Sequence, residues 1–582
     1  MDTRDSDQRS EKTNRPINRR QFLKLASGMG IALGAGSLLA GCQSAPAQPA
    51  APTSVPAAKP TTAGAAPASA TVAPASAPAG TPKKGGILKI PVTADVNPWP
   101  PIGLIQNLMV NKSIFNGLVR YSASDWSPQP DLAEKWEVSK DGLTWTFFLK
   151  KGVTWHDGKP FTAEDVKYSI MTYADEKVNS ILRGNLSPIT KIDIVDPHTI
   201  KLTTKEPYSA LVELLGYLTF MLPKHLLEGQ QFTPSQFPQD FIKKPIGTGP
   251  FKFVENIPGN NVTLAANDNY HEGRPYLDSV VFKVVRDLNS TIAQVKTGEL
   301  DLAFPTVAQL PALEGTPNLN IIERGVPEFR FFGMNYKDKD FGPWFADKRV
   351  RQALAHAVDT KGIMEQVAKG KAQRSNGPIA PAFKDWYVKD APTFDYDPEK
   401  AKQILSDFGL KPDADKILAK DGKKFAFAFM VDQGQPERQQ TSLIIQQNFK
   451  DIGIDAKVDA LEFNEFMRRE RVSKEFVAVC FYYMMPTTPA LHSYWQTNGS
   501  TNEWGYSNPE VDKLFSEALT LFEPEKRKEV YQKVYKILAE EQSALFLYHP
   551  NELQAVNKRV KGFAETHYRD ALLYLNKVWV DA

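Results

Sequence analysis

From Gly85 to the C-terminus, apolar residues recur with two different periods. In "LTWTFFL", Leu143, Trp145, Phe147 and Leu149 fall at every second position, so they share one face of a strand. "GGILKIPV", starting at Gly85, predicts a second short strand. Elsewhere the spacing is helical. "FTAEDVKYSI" predicts a helix capped by Thr162, with Asp165 three residues on to return the bond. In "DPEKAKQILSDFG", Asp397 caps and Pro398 takes the first position. Ala401, Ile404, Leu405 and Phe408 form the buried stripe, and Gly409 ends the helix. "NPEVDKLFSEAL" aligns Val511, Leu514, Phe515, Ala518 and Leu519, and "RVRQALAHAVD" has the same spacing. Strands and helices alternate irregularly, with no short repeat, so the expected fold class is α/β.

The first 83 residues follow neither period. Residues 25–42 are uncharged, rich in Gly and Ala, and preceded by Arg19, Arg20 and Lys24. A basic region, an apolar region and a small-residue site in that order read as an export signal. Residues 43–83 are Ala, Pro, Thr and Ser with almost no charge or bulky side chain, so they cannot bury a core and are expected to be a disordered linker. Its prolines favour extended backbone with a reach on the order of 100 Å.

The chain of 582 residues is 42% hydrophobic, enough for several domains. Its net charge is +3, and residues 1–24, with seven Lys/Arg and four Asp/Glu, account for the whole surplus. A neutral body gives no bulk electrostatic reason to bind nucleic acid. The two cysteines, Cys42 and Cys480, are too differently placed to predict a disulfide. Cys480, inside "FVAVCFYYMM", reads as a small buried hydrophobe. No H-E-x-x-H, G-x-S-x-G or C-x-x-C occurs. "GTG" at Gly247–Gly249 lacks the Lys-Ser/Thr of a phosphate loop and reads as a turn or hinge. The eight histidines include no i, i+3 or i, i+4 pair. No enzyme activity, metal or cofactor is therefore expected.

Three resemblances sharpen this picture. "NRRQFLK", with Arg19 and Arg20, resembles the twin-arginine export motif, and "LAGC", Leu39–Cys42, resembles a bacterial lipobox. The second implies cleavage before Cys42, lipidation of its thiol and a membrane anchor. The third covers the body. "LAEKWEVSKDGLTWTFFLKKGVTWHDGKPFTAEDVKYSI", "PIGTGPFKF", "GRPYLDSVVFKVVRD", "TGELDLA", "DKRVRQALAHAVD", "YDPEKAKQIL" and "NPEVDKLFSEA" occur in the order seen in family 5 extracellular solute-binding proteins. The chain thus resembles the peptide- and nickel-binding receptors of ABC importers.

That resemblance implies a two-lobed, type II periplasmic-binding-protein-like clamshell with an extra domain inserted in lobe one. Carried onto this chain, residues 1–42 are the signal and 43–83 the linker. Lobe one is 84–116, 245–334 and 548–582, the inserted domain is 117–244, and lobe two is 335–547. The implied partners are a peptide ligand held between the lobes and an ABC permease with its ATPase. A monomer on the outer face of the cytoplasmic membrane is implied.

In peptide-binding members of the family, an acidic residue of lobe two pairs with the peptide α-ammonium. Here the corresponding stretch is "CFYYMMPTTPALHSYW", in which Met485 takes the acid's place, and no acid occurs between Glu475 and Glu503. Aromatic side chains take over, and such faces with hydroxyl tips suit a neutral or partly apolar ligand. The expected ligand contacts are Tyr482, Tyr483, Met485 and Trp495, with Trp99 after the first strand and Trp386 on a loop. An oligosaccharide or other neutral solute is the alternative ligand. A non-transport sensor lipoprotein is the alternative role.

Overall fold

The computed structural model describes residues 81–581, apart from positions 94, 97–107, 123–126, 179, 181, 217–218, 234–236, 385, 485–489, 500 and 564–574. The expected signal, the linker, Cys42, Arg19, Arg20, Trp99 and Met485 lie outside the described residues.

The first predicted strand is β1, Ile87–Val92. Helix α1, Leu108–Ile114, leads out of it. A separate sheet follows, with β2 (Ala133–Val138), β3 (Thr144–Leu149), β4 (Ile189–Asp196) and β5 (Thr199–Thr204) in the order β2-β3-β5-β4. In β3 the alternation holds: Trp145, Phe147 and Leu149 are buried. Helix α2, Ala163–Ala174, starts with the expected capping box of Thr162 and Asp165. Asp165 also accepts from Lys224 N at 3.1 Å, which ties the helix to a later turn. Helix α3, Leu211–Leu215, follows, and short helical turns at Lys224–Leu227 and Gln239–Lys243 close this part of the chain.

The chain then returns to β1. Strands β6 (Phe251–Ile257), β7 (Asn261–Ala266) and β8 (Ser279–Val284) complete a sheet of order β1-β8-β7-β6, with β1 parallel to β8. The C-terminal segment is clamped to this unit. Arg559 grips Asp301 with two bonds, Nε–Oδ1 2.7 Å and Nη2–Oδ2 2.9 Å, while Asp301 also accepts from Lys89 N.

An eight-stranded sheet carries the rest. Its strands are β9 (Leu302–Ala303), β10 (Leu319–Gly325), β11 (Glu328–Met334), β12 (Ala372–Arg374), β13 (Ala426–Asp432), β14 (Asp455–Leu461), β15 (Ala478–Met484) and β16 (Leu545–Asn557). The main path runs β9-β16-β11-β15-β13-β14, and β10 and β12 also pair with β16. Helices α4 (Lys348–Ala357), α5 (Pro398–Asp407), α6 (Pro436–Asp451), α7 (Pro509–Thr520) and α8 (Pro524–Glu541) pack around it. Asp397 caps α5 as the sequence predicts, and Asn508 caps α7. Cys480 is buried, and burial pushes its thiol up to about 11.

The 13-residue β16 belongs to both halves of the molecule. Its first part pairs with β11 and β12, and its second part with β9 and β10. The outgoing crossing is Val326–Pro327, between β10 and β11, and the return is His549–Pro550. Pro offers no N–H to a ladder, and Val326–Pro327 falls where pairing is interrupted, whereas β16 stays paired through its return, Pro550 with Ala372 and Asn551 with Gly325. The two are joined by His549, whose Nδ1–H donates to Glu328 O at 2.9 Å. The expected boundary at 334/335 falls at the end of β11. All of β11 pairs with β15, from Glu328↔Met484 to Met334↔Ala478, so its ladder joins it to strands of the segment expected as lobe two.

Candidate functional site

Strands β13 and β15 run parallel and end at Asp432 and Met484. The register Glu328↔Met484 puts the start of β11 at the same edge, and Pro436 begins α6 four residues after β13 ends. Ligands of open α/β sheets bind off the carboxyl ends of parallel strands, so this edge is the chemically favoured one.

One row of side chains crosses the sheet there. Arg330 faces Tyr482 on β15 and Tyr548 on β16. Its guanidinium carbon lies 5.1 Å from the Tyr482 ring centroid. Glu328 pairs with Arg330, and Glu437 of α6 stands 3.6 Å from Arg330 Nη2. Tyr548 donates its hydroxyl to Glu437 Oε1 at 2.7 Å. Burial alone would lower the Arg330 pKa, but the two carboxylates outweigh it and hold it above its ordinary value.

A second guanidinium completes the row. Arg438 grips Asp432 through Nε–Oδ1 2.5 Å and Nη2–Oδ2 2.6 Å, and both residues are buried. A cation in the first turn of α6 opposes the helix dipole, and Asp432 offsets that penalty. Arg438 lies 4.6 Å from the Tyr482 centroid, so two guanidinium groups hold one half-buried ring at the sheet edge.

Next to this row is a cavity of about 260 Å³. The turn Phe304–Val307, after β9, supplies one wall. Pro327, Arg330 and Glu437 supply another, and Asn551 and Glu552 of β16 the floor. It thus sits beside both crossings, with walls from both sides of the hinge.

The expected ligand residues separate. Tyr482 reaches the edge just described. Tyr483, its neighbour, points to the opposite face of β15 because side chains alternate along a strand. It is buried, its ring stacks on Phe331 at 5.1 Å, and its hydroxyl donates to Glu470 at 3.1 Å. Trp495 is fully buried against Trp504, Tyr506 and Phe546. The packing makes both core residues rather than an exposed ligand wall. Trp386 lies apart, 5.7 Å from Tyr531 of α8. Arg330, Glu437 and Arg438 carry the site but were missed in the sequence. The available signal was an arginine inside "EFRFFGM", a charge interrupting an apolar strand.

"GTG" has a different task from a phosphate turn. A Cβ at Gly249 would stand 2.5 Å from the Ile114 carbonyl carbon, and Gly249 N donates to Ile114 O at 2.8 Å. The glycines let this loop lie flat on the end of α1. Among the described residues, no group of three or more His, Cys, Asp or Glu is placed to hold a metal ion. No described helix is long and apolar enough to cross a membrane.

Comparison with known proteins agrees with this architecture. Residues 127–505 match the family described as bacterial extracellular solute-binding proteins, family 5 Middle. The oligopeptide-binding protein AppA of Bacillus subtilis is 33% identical over 461 residues, covering 77% of this chain and 83% of the relative. Its crystal structure with a nonapeptide superposes with a TM-score of 0.72 at 28% identity, covering 86% of this chain and all of that one. NikZ from Campylobacter jejuni in complex with Ni(L-His) gives 0.72 at 28% identity, covering 85% and 99%. The two-lobed fold, the ordered motifs and the match over most of the chain agree, and the protein belongs to the family 5 bacterial extracellular solute-binding proteins.

Proposed function

We propose that this protein is the extracytoplasmic receptor of an ABC importer, capturing a peptide-like solute between its lobes and handing it to the permease and its ATPase. The observation that carries this reading is its 33% identity, over 77% of the chain, to an oligopeptide-binding protein. The relatives named are binding proteins, and the role proposed here is reversible capture without chemistry. The lobes close about the crossings at Val326–Pro327 and His549–Pro550, as hinge proteins do around ligand. Tyr482 is the proposed ligand contact that the site retains, while Trp99 and Met485 are proposed from the sequence alone. The monomer is tethered by a lipid on Cys42 after twin-arginine export through Arg19 and Arg20.

A thermal-shift screen of the purified protein against di- to pentapeptides and a panel of oligosaccharides tests the ligand class. A ligand of the folded state raises Tm with concentration. A rise with peptides supports the proposal. A rise with sugars alone overturns the peptide reading and keeps the receptor role. The anchor is tested by Cys42→Ser, which releases the protein from membranes if Cys42 carries the lipid.

A further inference from the structure

The cavity beside the hinge strands has more acid than its own cations satisfy. Its lining includes Glu328, Glu437 and Glu552 against Arg330 and Lys371. Lys371 is already bound to Glu323 at 2.7 Å, and Asn551 donates to the other oxygen of that carboxylate. Arg330 is shared between Glu328 and Glu437. Glu552 has no ion pair of its own among these contacts. Its Oε2 accepts from Gln554 at 3.1 Å, whereas its buried Oε1 has no donor.

Two further features point the same way. Glu437 is the more open carboxylate, with its side chain 33% exposed. Its Oε1 accepts from Tyr548, while Oε2 stands 3.6 Å from Arg330, beyond hydrogen-bond range and open to another donor. Arg324, the ladder partner of Glu552, keeps its Nη2 without an acceptor, so the two do not close on each other. An anionic ligand would face Glu328 and Glu437 and find Lys371 and Arg330 already paired with carboxylates, Arg330 keeping only its buried Nε without a partner.

We infer that this cavity receives the cationic end of the ligand, a primary ammonium, between Glu437 at its mouth and Glu552 at its floor. The inference rests on the peptide-receptor reading and supplies the counter-charge that the stretch between Glu475 and Glu503 lacks. A buried ammonium without such a partner costs several kcal/mol. The cavity volume of about 260 Å³ accommodates an ammonium with its first carbon atoms.

A linked proton follows. Burial pushes the Glu552 carboxyl well above its ordinary range, and Glu328 adds to this, while Gln554 and Arg324 pull it down. Burial thus disfavours the charged form of Glu552 in the empty site. An arriving ammonium favours the carboxylate, so binding releases a proton wherever Glu552 still holds one.

The test compares free-amine pentapeptides with their N-acetylated counterparts by isothermal titration in two buffers of different ionisation enthalpy. Acetylation is expected to weaken binding at least about tenfold. Glu437→Gln reduces that discrimination, and Glu552→Gln abolishes proton release while keeping its bond to Gln554. Equal affinity for both forms, or discrimination unchanged in both variants, overturns the inference and leaves the receptor reading intact. If neither peptide form binds, the peptide reading fails instead. Propylammonium chloride then probes the cavity directly against sodium chloride at equal ionic strength. A Tm rise specific to propylammonium and lost in both variants upholds the cation site, and no rise overturns it.

Discussion

Glu213 and Arg527, 314 positions apart, meet in a buried two-bond ion pair, Nη1–Oε1 2.5 Å and Nη2–Oε2 2.9 Å. Glu213 sits on α3 and Arg527 on α8, so the pair bridges the segment expected as an inserted domain and the helices of lobe two. Ser209 N donates to Leu519 O at 2.9 Å beside it, and Phe522 packs on Trp145 with centroids 5.6 Å apart. The two units therefore touch at a second place, apart from the hinge strands.

Removing one partner leaves the other charge buried alone. Glu213→Gln is expected to cost about 3–5 kcal/mol. It should also loosen this contact, because among the described residues no other carboxylate pairs with Arg527. Calorimetry reads the loss as a fall in Tm, and small-angle scattering reads the loosening as a larger radius of gyration. A variant with unchanged Tm and unchanged radius would show that the pair supports neither stability nor closure.

His156 carries a pH dependence. Its Nδ1 accepts from Gly247 N at 3.2 Å and its Nε2–H donates to Gly249 O at 3.0 Å, an arrangement only the neutral ring can make. Burial drives its pKa down to about 4 from 6.5. Between those values the unfolded chain binds more protons, so the contribution is complete above pH 6.5 and fades as pH falls toward 4. The range corresponds to at most about 3 kcal/mol. In Tm measured from pH 4 to 8, the advantage of the wild type over His156→Gln should be largest at neutral pH and shrink on acidification. A constant gap would exclude this linkage.

Adjacent tyrosines of β15 should respond in opposite ways. Tyr482→Ala removes a half-buried ring held at the sheet edge, so ligand affinity should drop about tenfold with a small change in Tm. Tyr483→Ala opens a core cavity beside Phe331 and removes the hydroxyl donor of Glu470 Oε1, which keeps Arg471 on its other oxygen, at a cost of about 3–5 kcal/mol. Paired titrations and melting curves separate the two. Loss of affinity in Tyr483→Ala at unchanged Tm would return that residue to the ligand wall.

The local signals in the sequence were legible because each rests on neighbours. Thr162 and Asp165, or Asp397 and Pro398, form caps within one turn, and the Trp145, Phe147, Leu149 face is set by strand period alone. "VTWHDG" and "GTGP" were legible as motifs, but not that His156 clasps the Gly247–Gly249 loop, a contact across about 90 positions. The aromatic stretch after Cys480 showed that rings cluster. It did not show the direction of each ring, because that depends on the register of β15 against β11. Arg330, Glu437 and Glu552 come from three distant segments, and only the crossing strands bring them together.

The Asp432–Arg438 pair offers a sharper test of how Tyr482 is held. Asp432→Asn leaves a buried guanidinium uncompensated in the first turn of α6, with an expected cost of about 3–5 kcal/mol. Replacing both residues together, Asp432→Leu with Arg438→Met, removes the charges as a unit and should restore most of that stability. The double variant still lacks one of the two cations lying on the Tyr482 ring. A cation–π contact of this kind contributes about 0.5–2 kcal/mol. Stability recovered with affinity still reduced several-fold would assign the pair to positioning Tyr482. Recovery of both would assign it to folding alone.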